Sequence, residues 1–223
     1  MGVGEVSLIA ARLVGRHGHV TALDIDDAAL EMAAARARER ERNNIEFVHA
    51  GIGEYAPPEL VDAVIGRHIL IHTPDPLAVL ATARGLLRPG GVAVFQEFDF
   101  SHVPPSYPVC PLRERACAVF TDFFTRAAHG NMGARLFHLF TEAGFHAPDC
   151  QGEYLIDGGA ESPAYEWFAE SLRSILPRAA ALGIGTEFVD GIDTLADRIR
   201  EETVAARASC PSPLMIGGFA RRP

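Results

Sequence analysis

Gly2 and Gly4 open the stretch GVGEVSLIAARLVGRHGHVTALDID, in which an apolar-periodic helix leads into a strand ending in Asp24. Glycines at such a point let the backbone approach a ligand closely, and the helix after them offers free N–H groups to an anion. A carboxylate at the end of the next strand can accept both hydroxyl protons of a ribose, a bidentate contact that fixes a nucleoside. The plain structural alternatives are a tight turn without a ligand and, for Asp24, a helix N-terminal acid, a role that Asp26 or Asp27 fills more naturally. Nicotinamide enzymes hold ribose in the same way. Ser7 stands where the third glycine of G-x-G-x-x-G belongs, which counts against the dinucleotide reading. Further along, Arg67 and His68 close a second apolar strand, and Gln96 and Glu97 close a third. His68 and Glu97 are the candidate catalytic groups, Glu97 to orient or deprotonate an acceptor or else only to brace the structure above it. His72, in IHTPDP, reads as a histidine packing a helix start.

These residues need elements that bring them to one end of a sheet. Val6, Ile9, Ala10, Leu13 and Val14 follow the spacing of a buried helix face, with Gly15 placed to end the helix. Strands are predicted at about 19–25, 45–48, 62–67 (DAVIGR) and 92–98 (VAVFQEF), and helices at 27–42 and over DPLAVLATARGLL, where Asp75 is the N-cap and Pro76 the first helical residue. Strands alternating with helices imply a parallel, doubly wound sheet. The later half reads as helices over LRERACAVFTDFFTRAAH and GARLFHLFTEAGF, a strand CQGEYLI, helices at about 163–181 and 192–208, and a terminal strand PLMIGGFA. The last two strands suggest a closing hairpin whose connection is expanded into a helical lid over Arg67, His68 and Glu97. Phe120, Phe123, Phe124, Phe137, Phe140, Trp167 and Phe168 read as core by their helical spacing, with an apolar acceptor cavity as the alternative.

Composition narrows the function. A chain of 223 residues, 48% hydrophobic and 22% charged, supports one sizeable α/β core, so residues 1–223 are expected to form one domain with a cofactor half (1–98) and an acceptor and lid half (99–223). A formal net charge of -9 argues against nucleic acid and anionic membranes, which need a positive patch. Cys110, Cys117, Cys150 and Cys210 are widely spaced, so neither a metal site nor a disulfide framework is indicated, and a reducing cytoplasm fits. No apolar run approaches the roughly 20 residues that cross a bilayer.

The glycine stretch, HILIHTPDP, LLRPGG and FTEAGF, in this order, resemble class I S-adenosylmethionine-dependent methyltransferases of small molecules, over residues 2–98 and 132–156 and the last strand. The resemblance implies a Rossmann-like sheet of seven strands with an antiparallel last strand. It implies S-adenosylmethionine held by Gly2, Gly4, Asp24 on the ribose, Ile25 against adenine, and Gly51 and Ile52. Arg67 and His68 would line the methionine side and the mouth of a small-molecule acceptor pocket. The family commonly has an acidic residue where this chain has Gly51, so adenine recognition would fall to backbone near Ile52 or to Glu54. A homodimer is compatible with this reading. The alternatives are a methyltransferase-like binding protein without catalysis and a nicotinamide-dependent reductase. Since Met1 stands inside the glycine loop, the strand ahead of it, central in this family, is expected to be missing, as in an N-terminally shortened chain. The sheet should then have an empty, strained or foreign-filled slot, with poor folding and weak cofactor binding.

Overall fold

The computed structural model describes residues 4–185 and 191–223; Gly2 lies outside the described residues. The chain runs α1 (Glu5–Val14), β1 (Val20–Asp24), α2 (Asp27–Glu39), β2 (Ile45–His49), β3 (Val61–Arg67), a 3-10 turn (Leu70–His72), α3 (Pro76–Leu86) and β4 (Leu87–Asp99). It continues with α4 (Pro111–Ala127), α5 (Met132–Glu142), β5 (His146–Glu153), β6 (Ile156–Asp157), α6 (Ala164–Ala181), α7 (Leu195–Ala206), β7 (Cys210–Pro211) and β8 (Leu214–Arg221).

Helix starts follow the chemistry of their caps. The Asp26 carboxylate accepts the Ala28 and Ala29 N–H groups at the head of α2, and Asp75 accepts the Ala78 N–H at the head of α3, with Pro76 supplying a preset φ. Asp99, buried at the end of β4, accepts the Ala134 N–H in the first turn of α5, placing negative charge at a helix amino end. That cap is invisible in the sequence, because the two residues are 35 apart.

β3 and β4 are parallel, and β8 runs antiparallel between β4 and β5, giving the order β3-β4-β8-β5. The closing pair is therefore β5 and β8, with α6 and α7 in their connection. β4 and β8 have neighbours on both edges and carry the core: alternate residues of β4 from Gly91 to Asp99 are buried. Phe95, Phe140, Leu80, Leu87 and Leu136 pack there under α3 and α5. A layer of phenylalanines continues it, with Phe100 stacked on Phe124 at 4.3 Å and Phe120 parallel to both.

β1 and β2 pair in parallel as a separate two-stranded sheet, and no ladder joins β1 to β3. The seven-stranded sheet that the resemblance implies is thus divided among the described residues, at the place where the slot was expected.

Several local expectations are corrected. α1 buries Leu8 and Ala11, while Ile9, Leu13 and Val14 of the predicted inner face are exposed. β4 extends back through the RPGG turn to Leu87, because Leu87 still aligns with Val61 across a bulge. α2 stops at Glu39, and β5 begins at His146 rather than Cys150. Phe120, Phe123, Phe124 and Phe140 are core as read, whereas Phe137 and Trp167 are exposed.

Candidate functional site

Two clusters of the expected residues form at strand ends. The first lies where β1 and β2 finish, with Asp24 aligned with His49. Asp24 is half-buried, and its Oδ1 accepts the Asp26 N–H at 3.1 Å, which holds the carboxylate at the turn. Asp26 caps the helix, so Asp24 is not needed for that role. His49 steadies the same corner through Asp27 Oδ1 at 2.9 Å and the Ile25 carbonyl at 3.1 Å. Ile25 next to it is 73% exposed, which leaves its apolar side chain largely uncovered among the described residues.

Gly51 belongs to this cluster: a β-carbon placed on it would stand 3.9 Å from Ile25 Cγ2. Its N–H donates to Glu54 Oε2 at 3.1 Å. A carboxylate is therefore present beside position 51 although the residue there is glycine. Ile52 packs on the main core, and the Tyr55 hydroxyl donates to Thr21 Oγ1 at 3.3 Å, so this loop ties β1 to the larger sheet. Gly4 has a reason other than ligand approach. Its φ is 83°, and a β-carbon there would lie 2.7 Å from Ala33 Cβ, so glycine is required for α1 to pack on α2.

The second cluster lies where β3 and β4 finish. Arg67 Nε donates to Gln96 Oε1 at 2.9 Å across the parallel pair. His68 follows at φ 54°, in the left-handed region, its N–H donating to the Gln96 carbonyl at 2.9 Å. The His68 ring stacks on Phe98 with centroids 4.3 Å apart. Phe98 in turn meets Trp167 of α6 at 5.9 Å. The stacking of His68, Phe98 and Trp167 is not legible from spacing, since strand register and a helix some seventy residues on bring the rings together.

Glu97 is fully buried, and both its oxygens are engaged. Oε1 accepts the Ile69 and Leu70 N–H groups at 2.9 and 2.8 Å, and Oε2 accepts that of Ile71 at 3.2 Å. Burial pushes its pKa up to about 7 against the pull of those three N–H groups. Glu97 is thus the anchor of the turn that follows His68, which corrects the expectation that it meets the acceptor as a catalytic group. His68 Nε2 is buried without a partner among the described residues. Burial, then the Arg67 charge, lowers the pKa of His68 to about 4, so the ring is neutral near pH 7. A neutral imidazole of such low basicity suits a positioned hydrogen bond better than proton abstraction.

Two helices were expected to form a lid over Arg67, His68 and Glu97. α6 brings Trp167 to Phe98, and Arg178 acts on His72, whose pKa is lowered mainly by burial. α7 packs on α4 and α6 instead, and Glu202 accepts the Leu112 N–H at 2.9 Å at the head of α4.

The histidine makes a pH prediction. Unfolded histidine titrates near 6.5 and His68 near 4, so between these values the unfolded state binds the extra proton and stability falls as pH drops through that window. Glu97 has the opposite sign, holding protons in the fold between about 4.5 and 7. Melting temperatures from pH 7.5 to 4.5 should therefore fall more steeply for the native protein than for His68→Gln. Equal slopes would show that His68 is not buried neutral.

A family model described as a methyltransferase domain matches residues 2–144. A demethylmenaquinone methyltransferase of Listeria monocytogenes is 29% identical over 159 residues, covering 65% of this chain and 66% of the relative. An uncharacterized 37.1 kDa protein of a Streptomyces fradiae transposon is 30% identical over 142 residues, 62% of this chain and 39% of that one. The chain thus aligns with less than two thirds of either relative. Among solved structures, a Haemonchus contortus phosphoethanolamine N-methyltransferase bound to phosphomonomethylethanolamine and S-adenosylhomocysteine superposes with a TM-score of 0.58 at 15% identity, over 100% of this chain and 47% of that one. At that identity the likeness establishes the fold.

Proposed function

The chain belongs to the methyltransferase-domain family, and on that premise we propose that it transfers a methyl group from S-adenosylmethionine to a small organic acceptor. The observation that carries the reading is the first cluster. Asp24, half-buried at the end of β1, stands beside the bare face of Ile25, and Gly51 and Ile52 close the corner. These groups fit a nucleoside: a carboxylate for two ribose hydroxyls, an apolar face for a base, and backbone at Ile52 for the base edge. Glu54, already on Gly51, supplies the acidic group that position 51 lacks. Gly4 and Arg67 complete the set proposed to hold the cofactor.

When bound, S-adenosylmethionine supplies a methyl group on a sulfonium, whose departure leaves a neutral thioether. The protein's part is then alignment and exclusion of water, and a strong base is not required. Glu97 fixes the 69–71 turn, the turn fixes His68, and the Phe98 and Trp167 rings give a dry, planar surface beside the histidine. His68 Nε2, unpaired and uncharged, is proposed to take a hydrogen bond with the acceptor's polar group. The aromatic surface, together with the relative named for demethylmenaquinone, favours a ring-bearing acceptor.

The test is transfer of a labelled methyl group from S-adenosylmethionine to a panel of phenols, quinols and polyketide-like rings. The reading expects labelled product with at least one ring acceptor and its reduction by His68→Ala. Failure across the panel, with NADH oxidised in the same reactions, would replace it by the nicotinamide reading.

A further inference from the structure

α6 brings more than Trp167 to the second cluster. From Trp167 to Arg178 is close to three full helical turns, so the two lie on one face of Ala164–Ala181, about 16 Å apart along its axis, with Ser171 and Ser174 between them on that face. One end of the face meets Phe98, 5.9 Å from the Trp167 ring and itself stacked on His68. At the other end the Arg178 guanidinium lies over the Phe123 ring, 5.2 Å from its centroid. Phe123 and Phe124 meet edge to face at 5.3 Å, and Phe124 meets the His72 ring at 6.0 Å, so the arginine stands beside His72. The face therefore runs from one histidine of the 68–72 segment to the other.

Arg178 differs from the arginines around it in having no acid. Arg126 is held by Asp122, Arg173 by Glu170 and Asp193, and Arg200 by Glu166 and Asp197. The Arg178 guanidinium has neither an ion pair nor a hydrogen bond among the described residues, in a chain with 29 acidic and 20 basic residues. The Phe123 ring fixes its position while leaving its N–H edge free for a planar anion. Charge at this mouth has one sign. Burial and then Arg67 lower the pKa of His68, and burial, joined by Arg178, lowers that of His72. Arg67 gives its Nε to Gln96, a neutral partner. Glu97 brings no negative charge to the mouth, since it is buried against the Ile69, Leu70 and Ile71 N–H groups. A cleft of one sign with apolar walls concentrates ions of the other.

We propose that Arg178, with His72 beside it, holds the anionic group of the acceptor, which makes the substrate class a ring-bearing carboxylic acid. The ring lies on Phe98 and Trp167 with the group to be methylated at His68, and the carboxylate pairs with the Arg178 guanidinium. This rests on the methyl-transfer reading, which puts the acceptor beside His68. The length of the face calls for an acid group carried away from the reacting end, by a second ring or a short unsaturated arm.

Trp167 is the one tryptophan of the chain, so its fluorescence reports occupation of this face directly. The probes are hydroxybenzoate, hydroxycinnamate and hydroxynaphthoate, each titrated against its own carboxamide, which keeps the ring and loses the charge. In the native protein the acid of at least one pair should bind about tenfold tighter than its amide, the gain of a charge-assisted, bidentate contact. Arg178→Gln should bring acid and amide to within about threefold of each other, and Arg178→Lys, which keeps the charge without the fork, should retain part of the difference. Equal binding of acid and amide by the native protein, a preference that survives Arg178→Gln, or no quenching by any acid overturns the proposal. Quenching needs no S-adenosylmethionine, so an acid site that fails while a phenol still receives labelled methyl is distinct from failure of methyl transfer itself, in which no ring acceptor is labelled.

Discussion

Glu97→Ala is expected to destabilise the fold by about 3 to 5 kcal/mol, because it leaves the buried Leu70 and Ile71 N–H groups and the part-buried Ile69 N–H without their acceptor. Those donors are Ile69, Leu70 and Ile71, and Leu70 and Ile71 are themselves in the core, so water has no route to replace the carboxylate. Glu97→Gln keeps the volume and one acceptor oxygen but turns an NH2 group on a backbone donor, so about 1 to 3 kcal/mol is expected. Urea unfolding of the two variants measures both. A loss below about 1 kcal/mol for Glu97→Ala would mean that the turn finds other acceptors and that Glu97 does not anchor it. The functional consequence follows from sequence adjacency: the turn holds His68 at φ 54°, so the glutamine variant should lose methyl transfer out of proportion to its loss of stability.

Asp24→Ala is expected to weaken binding of S-adenosylhomocysteine more than tenfold. Two charge-assisted hydrogen bonds to ribose hydroxyls contribute about 1.5 to 3 kcal/mol, and an order of magnitude in affinity is about 1.4 kcal/mol. Asp24 has its Oδ1 on the Asp26 N–H but caps no helix, since Asp26 does that, so the substitution should leave the melting temperature nearly unchanged. Calorimetric titration of both proteins separates the two effects. Unchanged affinity would remove Asp24 from the site.

The elements were readable where local chemistry decides them. Asp75 with Pro76, the alternation in VAVFQEF and the apolar run of DAVIGR each fix a helix start or a strand from a few neighbouring residues, and the strand ends they define put Asp24, Arg67, His68 and Glu97 in their places. What could not be read depends on partners distant in the chain. The stripe of α1 was expected to be buried because its spacing is right; it is exposed because burial needs a second surface, and the described residues provide none there. Glu97 was read as facing an acceptor because it ends a strand. It faces inward because β4 alternates and residue 97 falls on the buried face with Phe95 and Asp99. The Phe98–Trp167 contact is set by strand register and a helix far along the chain, which no spacing in the sequence encodes.

On the proposed reading, the corner at Asp24 and the turn after His68 serve one cofactor, although they lie on separate pieces of sheet. Amide exchange with and without S-adenosylhomocysteine, with NADH as the comparator, tests it most directly. Slowed exchange is expected in three segments together, 24–26, 51–54 and 67–71, with S-adenosylhomocysteine, and none with NADH. Slowing confined to one cluster, or slowing produced by NADH alone, would contradict it.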